Sequence, residues 1–375
     1  MAPARVTATI DSLADRRLAA RRVTLVLIAA GCLFVLVWVL FWAPGTNFGS
    51  AVGDPNDFFV TVLDSITIAG LYFIVASGFT LIFGLMRVVN MAHGSLFLLG
   101  GYVAFGAQQC LVGGTGVKCT AGFLSNGSGG FGLLPSQVSF ANWVFPFLIA
   151  TACVAVVGLV AQQVFLRWNQ GQELRQALIT IAISIIAADL MLAHFGGIGE
   201  DISWPRQLDD ATKRLHIGSI AYPWSRLFIL FVAIGIGIAL WLWLQKTRTG
   251  MIIRAGVDDR QMVSALGVNI SLVFALAFLV GSALAGAGGV IGGSFAGVAP
   301  GVDGNWLLNS LVVVIIGGMG SLLGAAVGSL LYGFITSFSA VYLPTAYTTY
   351  GITFTFVLLA VVLAVRPYGL FGRPA

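Results

Sequence analysis

The sequence predicts an all-α polytopic membrane protein with about 9–10 transmembrane or re-entrant helical segments and both termini in the cytoplasm. Of its 375 residues, 58% are hydrophobic and 9% are charged, with a mean hydropathy of +0.97. Soluble domains carry roughly 25% charged residues. The apolar residues lie in continuous runs, whereas a β-barrel would show short alternating segments. The 48 glycines indicate close helix packing.

The first apolar run, 23–43, follows a basic segment and is longer than the apolar core of a signal peptide, which spans about 7–15 residues. We therefore interpret it as a retained, extra N-terminal helix. The run 307–318 is too short to cross a bilayer alone and ends in GGMGS, which is typical of half of a broken or re-entrant helix. The other runs in chain order are 59–85, 93–108, 142–165, 177–196, 225–245, 269–294, 321–338 and 350–365.

Lysine and arginine positions predict the orientation, because they concentrate on the cytoplasmic side of membrane proteins. If the N-terminus is cytoplasmic and each segment crosses, 14 of the 19 basic residues face the cytoplasm and 5 face outside. The opposite orientation would reverse this ratio. The predicted organisation is a cytoplasmic tail (1–22), the extra helix (23–43), a transmembrane domain (59–366) and a cytoplasmic C-terminal tail (367–375).

Two long polar loops, 109–141 and 197–224, are predicted outside. They either cap the outer mouth of the protein and contact an external partner, or they are solvated connectors. Cys110 and Cys119 flank a Gly-rich stretch of the first loop, so a disulfide between them is compatible with an oxidising compartment.

The segment 246–268 is charged and amphipathic and is predicted on the cytoplasmic side. Gly250 and Gly267 bracket it and suit turns or caps. An element of this kind lies on the membrane surface or docks onto a partner. Its apolar face at helical spacing consists of Met251, Ile252, Met262, Val263 and Leu266.

Polar side chains within the apolar runs are candidates for a translocation pathway. Asp64 and Asp189 lie toward the outer ends of their segments, and His194 follows about one turn later. They either line a polar pathway or bond to neighbouring helices near the interface. The stretch GLMRVVNMAHGS (84–95) is predicted as a turn at the inner end of a span. Asn90 and His93 within it either stabilise the turn or line the pathway.

The sequence lacks the motifs of several classes of enzyme and cofactor site. A phosphate-binding P-loop needs a lysine after glycine, and Lys118, Lys213 and Lys246 all lack that context. No catalytic Ser/His/Asp set, metal-binding histidine pair or haem motif is recognisable. We therefore predict a protein that is not an enzyme and carries no cofactor of its own.

Four stretches together resemble the LivH-type permeases of branched-chain amino acid ABC importers. VVNMAHGSLFLLGGY (88–102) is close to the family's N-x-A-H-G pattern, which covers Asn90, His93 and Gly94. TRTGMIIRAGVDDRQMVSALGVNI (247–270) resembles the cytoplasmic loop that docks on the ATP-hydrolysing subunit. The other two are LVVVIIGGMGSLLGAAVGSLLYG (311–333) and RPYGLFG (366–372).

The resemblance implies a bacterial inner-membrane importer. A LivM-like permease would complete the pathway, two LivG/LivF-like subunits would bind ATP and Mg²⁺, and an external solute-binding protein would deliver branched-chain or related amino acids. It further implies that the segment 246–268 docks the ATPase. Where the family carries Glu-Ala-Ala, this chain has Gln261, Met262 and Val263. The residues expected at the docking loop are Gly250, Arg254, Asp258, Asp259 and Gly267.

Other functions stay open at this point. The same family includes permeases for urea, short amides and small carboxylates, and selectivity in such systems lies largely in the binding protein. A stand-alone channel or secondary transporter is the alternative of another class. The sequence has no central chain of acidic residues for proton coupling, which argues against the secondary transporter but not against a channel.

Overall fold

The computed structural model describes residues 55–86, 89–112, 138–169, 172–208, 214–217, 220–258, 260–343 and 350–372. Within these ranges, seven helices are long and apolar enough to cross a membrane, and two apolar helices are shorter. The predicted all-α polytopic fold is therefore confirmed. The helices are α1 (Pro55–Met86), α2 (His93–Val112), α3 (Phe140–Ala161), α4 (Glu173–Phe195), α5 (Trp224–Lys246), α6 (Arg248–Asp258), α7 (Arg260–Ala265), α8 (Ile270–Ala296), α9 (Val302–Gly317), α10 (Leu322–Tyr342) and α11 (Gly351–Val365).

The extra helix predicted at 23–43 lies outside the described residues, as do Arg87, Cys119, Asp259 and most of the loop 109–141. The predicted tail 1–22, the proposed disulfide and the orientation of the termini stay predictions.

Three helices form the centre of the bundle. The most apolar windows of α1, α2 and α8 are 78%, 67% and 61% buried, whereas those of α4 and α5 are 17% buried. Glycines allow the central helices to approach closely: a Cβ on Gly78 would lie 3.0 Å from the Leu284 side chain and would overlap the carbonyl of Gly281. Because small residues let membrane helices approach, these contacts explain the glycine content of α8.

The two ends of the bundle differ. At one end, here called the docking end, α6 packs through Ile253 against Val273 and Phe274 of α8. At the other end, here called the loop end, strands β1 (Arg214–Ile217) and β2 (Ile220–Pro223) form an antiparallel hairpin before α5. The sequence analysis did not predict this hairpin, because its strands have only four residues each.

The predicted break after 307–318 is confirmed, although the helix begins earlier than predicted, at Val302. Gly318 and Gly320 have φ angles of 104° and 84°, which separate α9 from α10. The C-terminal RPYGLFG segment folds back onto this break. The backbone N–H groups of Leu370 and Phe371 each donate to carbonyls at the end of α9, Ile316 and Gly317, over 2.9 Å. These bonds satisfy carbonyl groups that the end of a helix leaves unpaired.

Candidate functional site

The turn before α2 lies near the middle of the bundle and not at its docking end. His93 Nε2 is 3.0 Å from the carbonyl oxygen of Val75. Val75 lies 11 residues before Met86, the last residue of α1, which corresponds to about 16 Å along a helix. The prediction that Asn90 and His93 lie at the inner end of a span is therefore wrong. The missed feature is the non-helical backbone of residues 89–92, which lies inside the bundle and which hydropathy does not distinguish from an ordinary loop.

Backbone groups within this turn are satisfied locally, as irregular backbone at membrane depth requires. Asn90 Oδ1 accepts from the N–H of Ala92 over 3.1 Å, and the N–H of Met91 donates to Thr180 Oγ1 of α4 over 3.2 Å. The Asn90 side chain is 4% exposed, and its Nδ2 has no hydrogen-bond partner among the described residues. Asn90 thus stabilises the turn, while the two N–H donors of its Nδ2 have no partner among the described residues.

His93 is fully buried between α1 and α2. Its ring lies edge-on to Phe79, with ring centroids 5.3 Å apart. Nδ1 has no partner among the described residues. With Nε2 near a carbonyl oxygen, the neutral tautomer that protonates Nε2 satisfies this contact. The contacts of His93 are those of a residue that fixes the start of α2 against α1.

A second helix begins at the same place. Gly94 of α2 packs directly on the backbone of Asp303, in the first turn of α9. The Ser95 hydroxyl lies 3.3 Å from Asp303 Oδ2 and 2.8 Å from the hydroxyl of Ser184, near the middle of α4. From this point α2 runs toward the loop end and α9 toward the docking end. Ser95, Ser184 and Asp303 are here called the polar junction.

Beside the polar junction, the first turn of α9 packs on aromatic rings on one side and is exposed on the other. Trp306 stacks on Phe97 with centroids 4.5 Å apart, and Tyr72 lies 4.7 Å from Trp306. By contrast, Asn305 is exposed, and a Cβ added at Gly301 would meet no atom within 4 Å. The first turn of α9 therefore lies between a packed interior and a side that the described residues leave exposed.

Asp64 is not part of this site. Its Oδ1 accepts from Arg226 Nη1 of α5 and from Tyr222 Oη over 2.9 Å. The pair lies at the loop end, with each side chain roughly one quarter to one third exposed, at 26% and 30%. Asp64 thus bonds to β2 and to the first turn of α5, near the beginning of α1.

Asp189 is also separate from the polar junction. It is exposed on α4, six residues before the helix ends at Phe195. Its neighbours on that face include Leu178, Ile185 and Leu192, which are 58%, 64% and 45% exposed. A carboxylate thus lies within an apolar face of a helix that the described residues leave mostly exposed.

The predicted docking segment forms two short helices, α6 and α7, and its packing differs from the predicted pattern. Ile253 and Val263 are buried, at 2% and 5% exposed, whereas Met251, Met262 and Leu266 are 48%, 60% and 76% exposed. The predicted single apolar face is therefore wrong, because Ile253 and Val263 attach the segment to the bundle and the other apolar residues face away.

The glycines and Arg254 of this segment have different roles. Gly267 has a φ of 80° and follows α7, as a predicted cap would. Gly250 lies inside α6 and is buried against the end of α5, so the prediction of a turn or cap there is wrong. Arg254 Nη1 donates to Gln245 Oε1 over 2.7 Å. Only the backbone of Asp258 is described, at the end of α6.

The sequence analysis missed Ser95, Ser184 and Asp303. Asp303 was missed because the predicted apolar run begins at residue 307, since Asp303, Gly304 and Asn305 lower the hydropathy of the preceding segment. An aspartate two residues after a glycine, in the first turn of an apolar helix, is the signal that could have identified it. Carboxylate and hydroxyl oxygens at this depth can bind a small polar solute or an ion.

Comparisons with known proteins agree on one family. Residues 61–365 match the family described as "Branched-chain amino acid transport system / permease component". The high-affinity branched-chain amino acid transport system permease protein LivH of Escherichia coli strain K12 is 27% identical over 325 residues, covering 84% of this chain and 96% of that protein. BraD of Pseudomonas aeruginosa, a permease protein of the same description, is 24% identical over 315 residues, with 84% and 95% covered. No solved structure is significantly similar to the chain.

Proposed function

We propose that this chain, which belongs to the permease family of branched-chain amino acid transport systems, forms part of a transport pathway. Through this pathway, branched-chain or related amino acids would enter the cell. The chain is a multi-pass permease subunit of an ABC importer. The observation that carries the proposed substrate class is the polar junction. Ser95, Ser184 and Asp303 place polar oxygens near the middle of the bundle, in contact with the first turn of α9, whose other side the described residues leave exposed.

The ATP-binding partners are proposed to dock on α6 and α7. This element carries exposed Met251, Met262 and Leu266 while Ile253 anchors it to the bundle. Exposed apolar residues on a fixed amphipathic element are typical of a docking surface. Two LivG/LivF-like subunits would bind there and hold ATP and Mg²⁺.

The proposed transport is tested by reconstituting the chain with a LivM-like permease, both ATP-binding subunits and the solute-binding protein in vesicles. We expect L-leucine uptake that requires ATP and is insensitive to proton ionophores. The control replaces the P-loop lysine of the ATP-binding subunits and is expected to abolish uptake. Urea or acetamide uptake without leucine uptake would change the substrate class. Uptake by the isolated chain without ATP would favour the channel or secondary transporter.

The second permease subunit is proposed to cover the face of α4 that carries Asp189. A charged residue facing lipid costs about 2.5–3.5 kcal/mol at the centre of a transmembrane helix. Burial against a partner helix that supplies a basic or hydrogen-bond-donating side chain removes that cost. The surrounding exposed Ile185 and Leu192 would provide apolar contact area.

Asp189→Leu distinguishes contact with a partner helix from contact with lipid, because the two contacts predict different effects on co-purification and on thermal stability. If a partner helix pairs with Asp189, we expect about tenfold less LivM-like subunit to co-purify with the variant, equivalent to about 1.4 kcal/mol. If this face contacts lipid, the substitution is expected to raise thermal stability and leave co-purification unchanged. The control is Asp57→Leu, which replaces an exposed carboxylate in the first turn of α1. Equal losses in both variants would contradict a role specific to Asp189.

A further inference from the structure

We propose that the apolar segment 23–43 of this chain packs into a groove between α5 and α10. The groove, here called the α5–α10 groove, has a volume of about 320 Å³, and α1 forms its floor. The segment itself lies outside the described residues. Three observations support its placement: the shape of the groove, the end of the bundle at which α1 begins, and the composition of the segment.

Small residues let both flanking helices of the groove pack closely on α1. A Cβ on Gly70 of α1 would lie 3.1 Å from Ala233 Cβ of α5. A Cβ on Gly333 of α10 would lie 2.9 Å from Ala69 Cβ of α1. Ala69, Gly70 and Ala233 all line the groove. Because these residues have little side-chain volume, the space above them is available to another helix.

The rims of the α5–α10 groove expose large apolar side chains. Ile238 and Trp241 of α5 are 54% and 45% exposed, and Leu330 of α10 is 40% exposed. Protein interiors are close-packed, and a groove that stays unfilled loses the dispersion contacts of the residues that line it. A helix placed between α5 and α10 would cover both rims at once.

The segment joins the described chain at an end of the bundle from which the groove is within reach. Helix α1 begins at Pro55, at the loop end, and residues 44–54 connect it to the segment. These 11 residues span at most roughly 36–40 Å. The near end of the groove, at Leu230, lies six residues into α5, which corresponds to about 9 Å from the loop end. The segment can therefore lie beside the groove and antiparallel to α1.

The composition of the segment fits the groove. It has no charged residue, so apolar surfaces can surround it on every side. With residue 43 level with the start of α5, residues 26–37 lie level with the groove, which extends along α5 from Leu230 to Trp241. This stretch contains AAGC (29–32), a full turn of small residues that permits close approach between membrane helices. The short connection also gives the segment a high effective concentration at the groove.

Photo-cross-linking from the groove tests this placement. Ile238 is replaced by p-benzoylphenylalanine in the full-length chain, which carries an N-terminal tag and a protease site within 46–52 and is expressed with the LivM-like permease. After illumination and cleavage, we expect the tagged N-terminal fragment to stay attached to the same chain. The control position is Ala239, which is exposed on α5 but does not line the groove. We expect about tenfold or more product from Ile238 than from Ala239, because a tethered helix has a high effective concentration at its site.

Other occupants of the groove would give different products. A product that contains the LivM-like permease, or one that joins two differently tagged copies of this chain, would overturn the proposal. Cross-links to lipid alone, or equal yields from Ile238 and Ala239, would overturn it as well. Leu330, on the opposite rim, is the second position for the cross-linker and decides the outcome if the Ile238 variant does not fold. None of these measurements depends on which solute is transported.

The turn of small residues provides a second test. Replacing residues 29–32 by leucine keeps the segment apolar, and we expect it to lower the yield from Ile238 severalfold, because the larger side chains prevent close approach. The control places leucine at Val39 and Ala43, which lie nearer the loop end than the groove, and is expected to retain the yield. An unchanged yield in the first variant would contradict close packing of this turn in the α5–α10 groove.

Discussion

Gly94→Ala is expected to destabilise the protein and to remove most leucine uptake, because the added methyl group has no space. A Cβ at this position would overlap the carbonyl oxygen of Asp303 and lie 2.8 Å from Leu307 Cβ. The first atom belongs to the backbone of α9 and cannot rotate away. Overpacking of this kind typically costs about 1–3 kcal/mol. The strain would separate the starts of α2 and α9 and displace Ser95 from Asp303.

The matched control for Gly94→Ala is Gly304→Ala. Gly304 also lies in a helix at the polar junction, but a Cβ there would meet no atom within 4 Å. We expect its thermal stability to stay the same or to rise, since alanine favours helix over glycine by up to about 1 kcal/mol. Thermal unfolding of both purified variants is the measurement. Equal midpoints for the two variants would contradict the close contact between α2 and α9.

Helix positions were predictable wherever a continuous apolar run filled the helix. The run 225–245 became α5, Trp224–Lys246, and the run 177–196 became α4, Glu173–Phe195. Hydropathy succeeds here because only 17% of the most apolar window of each helix is buried among the described residues, so few polar contacts interrupt the apolar run. The same measure fails where a helix begins inside the bundle.

The polar junction shows this failure. Hydropathy predicted that Asn90 and His93 lie at the end of a span. In the structure, His93 contacts the carbonyl oxygen of Val75, in the interior of α1. It also excluded Asp303 from its helix, because polar residues in a first turn look like a loop. What places these residues together is a contact between segments about 200 residues apart, between Ser95 and Asp303. A pattern read along one chain segment carries no information about such a contact, although the family motif did mark Asn90, His93 and Gly94.

The amphipathic segment 246–268 was located correctly, but the side chains that it buries were predicted incorrectly. Helical spacing treated 246–268 as one amphipathic face, whereas the structure divides it into α6 and α7. Ile253 of α6 is buried against α8, and Met251 is exposed. The direction that an amphipathic helix faces depends on its neighbours, here α5 and α8, and these are not encoded in its own periodicity.

Gly250→Ala is expected to detach the docking segment from α5 and to uncouple transport from ATP hydrolysis. An added Cβ would lie 2.5 Å from Leu244 Cα and would overlap the carbonyl oxygen of Trp243. Both atoms belong to the backbone of α5. Thr247 further fixes this corner, because its Oγ1 donates to the Trp243 carbonyl over 2.6 Å and accepts from the N–H of Gly250 over 3.1 Å. The methyl group therefore has to displace α6.

Displacement of α6 would move Ile253 out of its contacts with Val273 and Phe274 and shift the exposed docking residues. A cost of about 1.4 kcal/mol lowers a binding constant tenfold, so we expect about tenfold less ATP-binding subunit on the tagged variant and a comparable loss of uptake. Gly235→Ala is the control, since it adds the same methyl group to α5 at a site with no atom within 4 Å. Normal ATPase binding and uptake by Gly250→Ala would show that the corner between α5 and α6 does not position the docking surface.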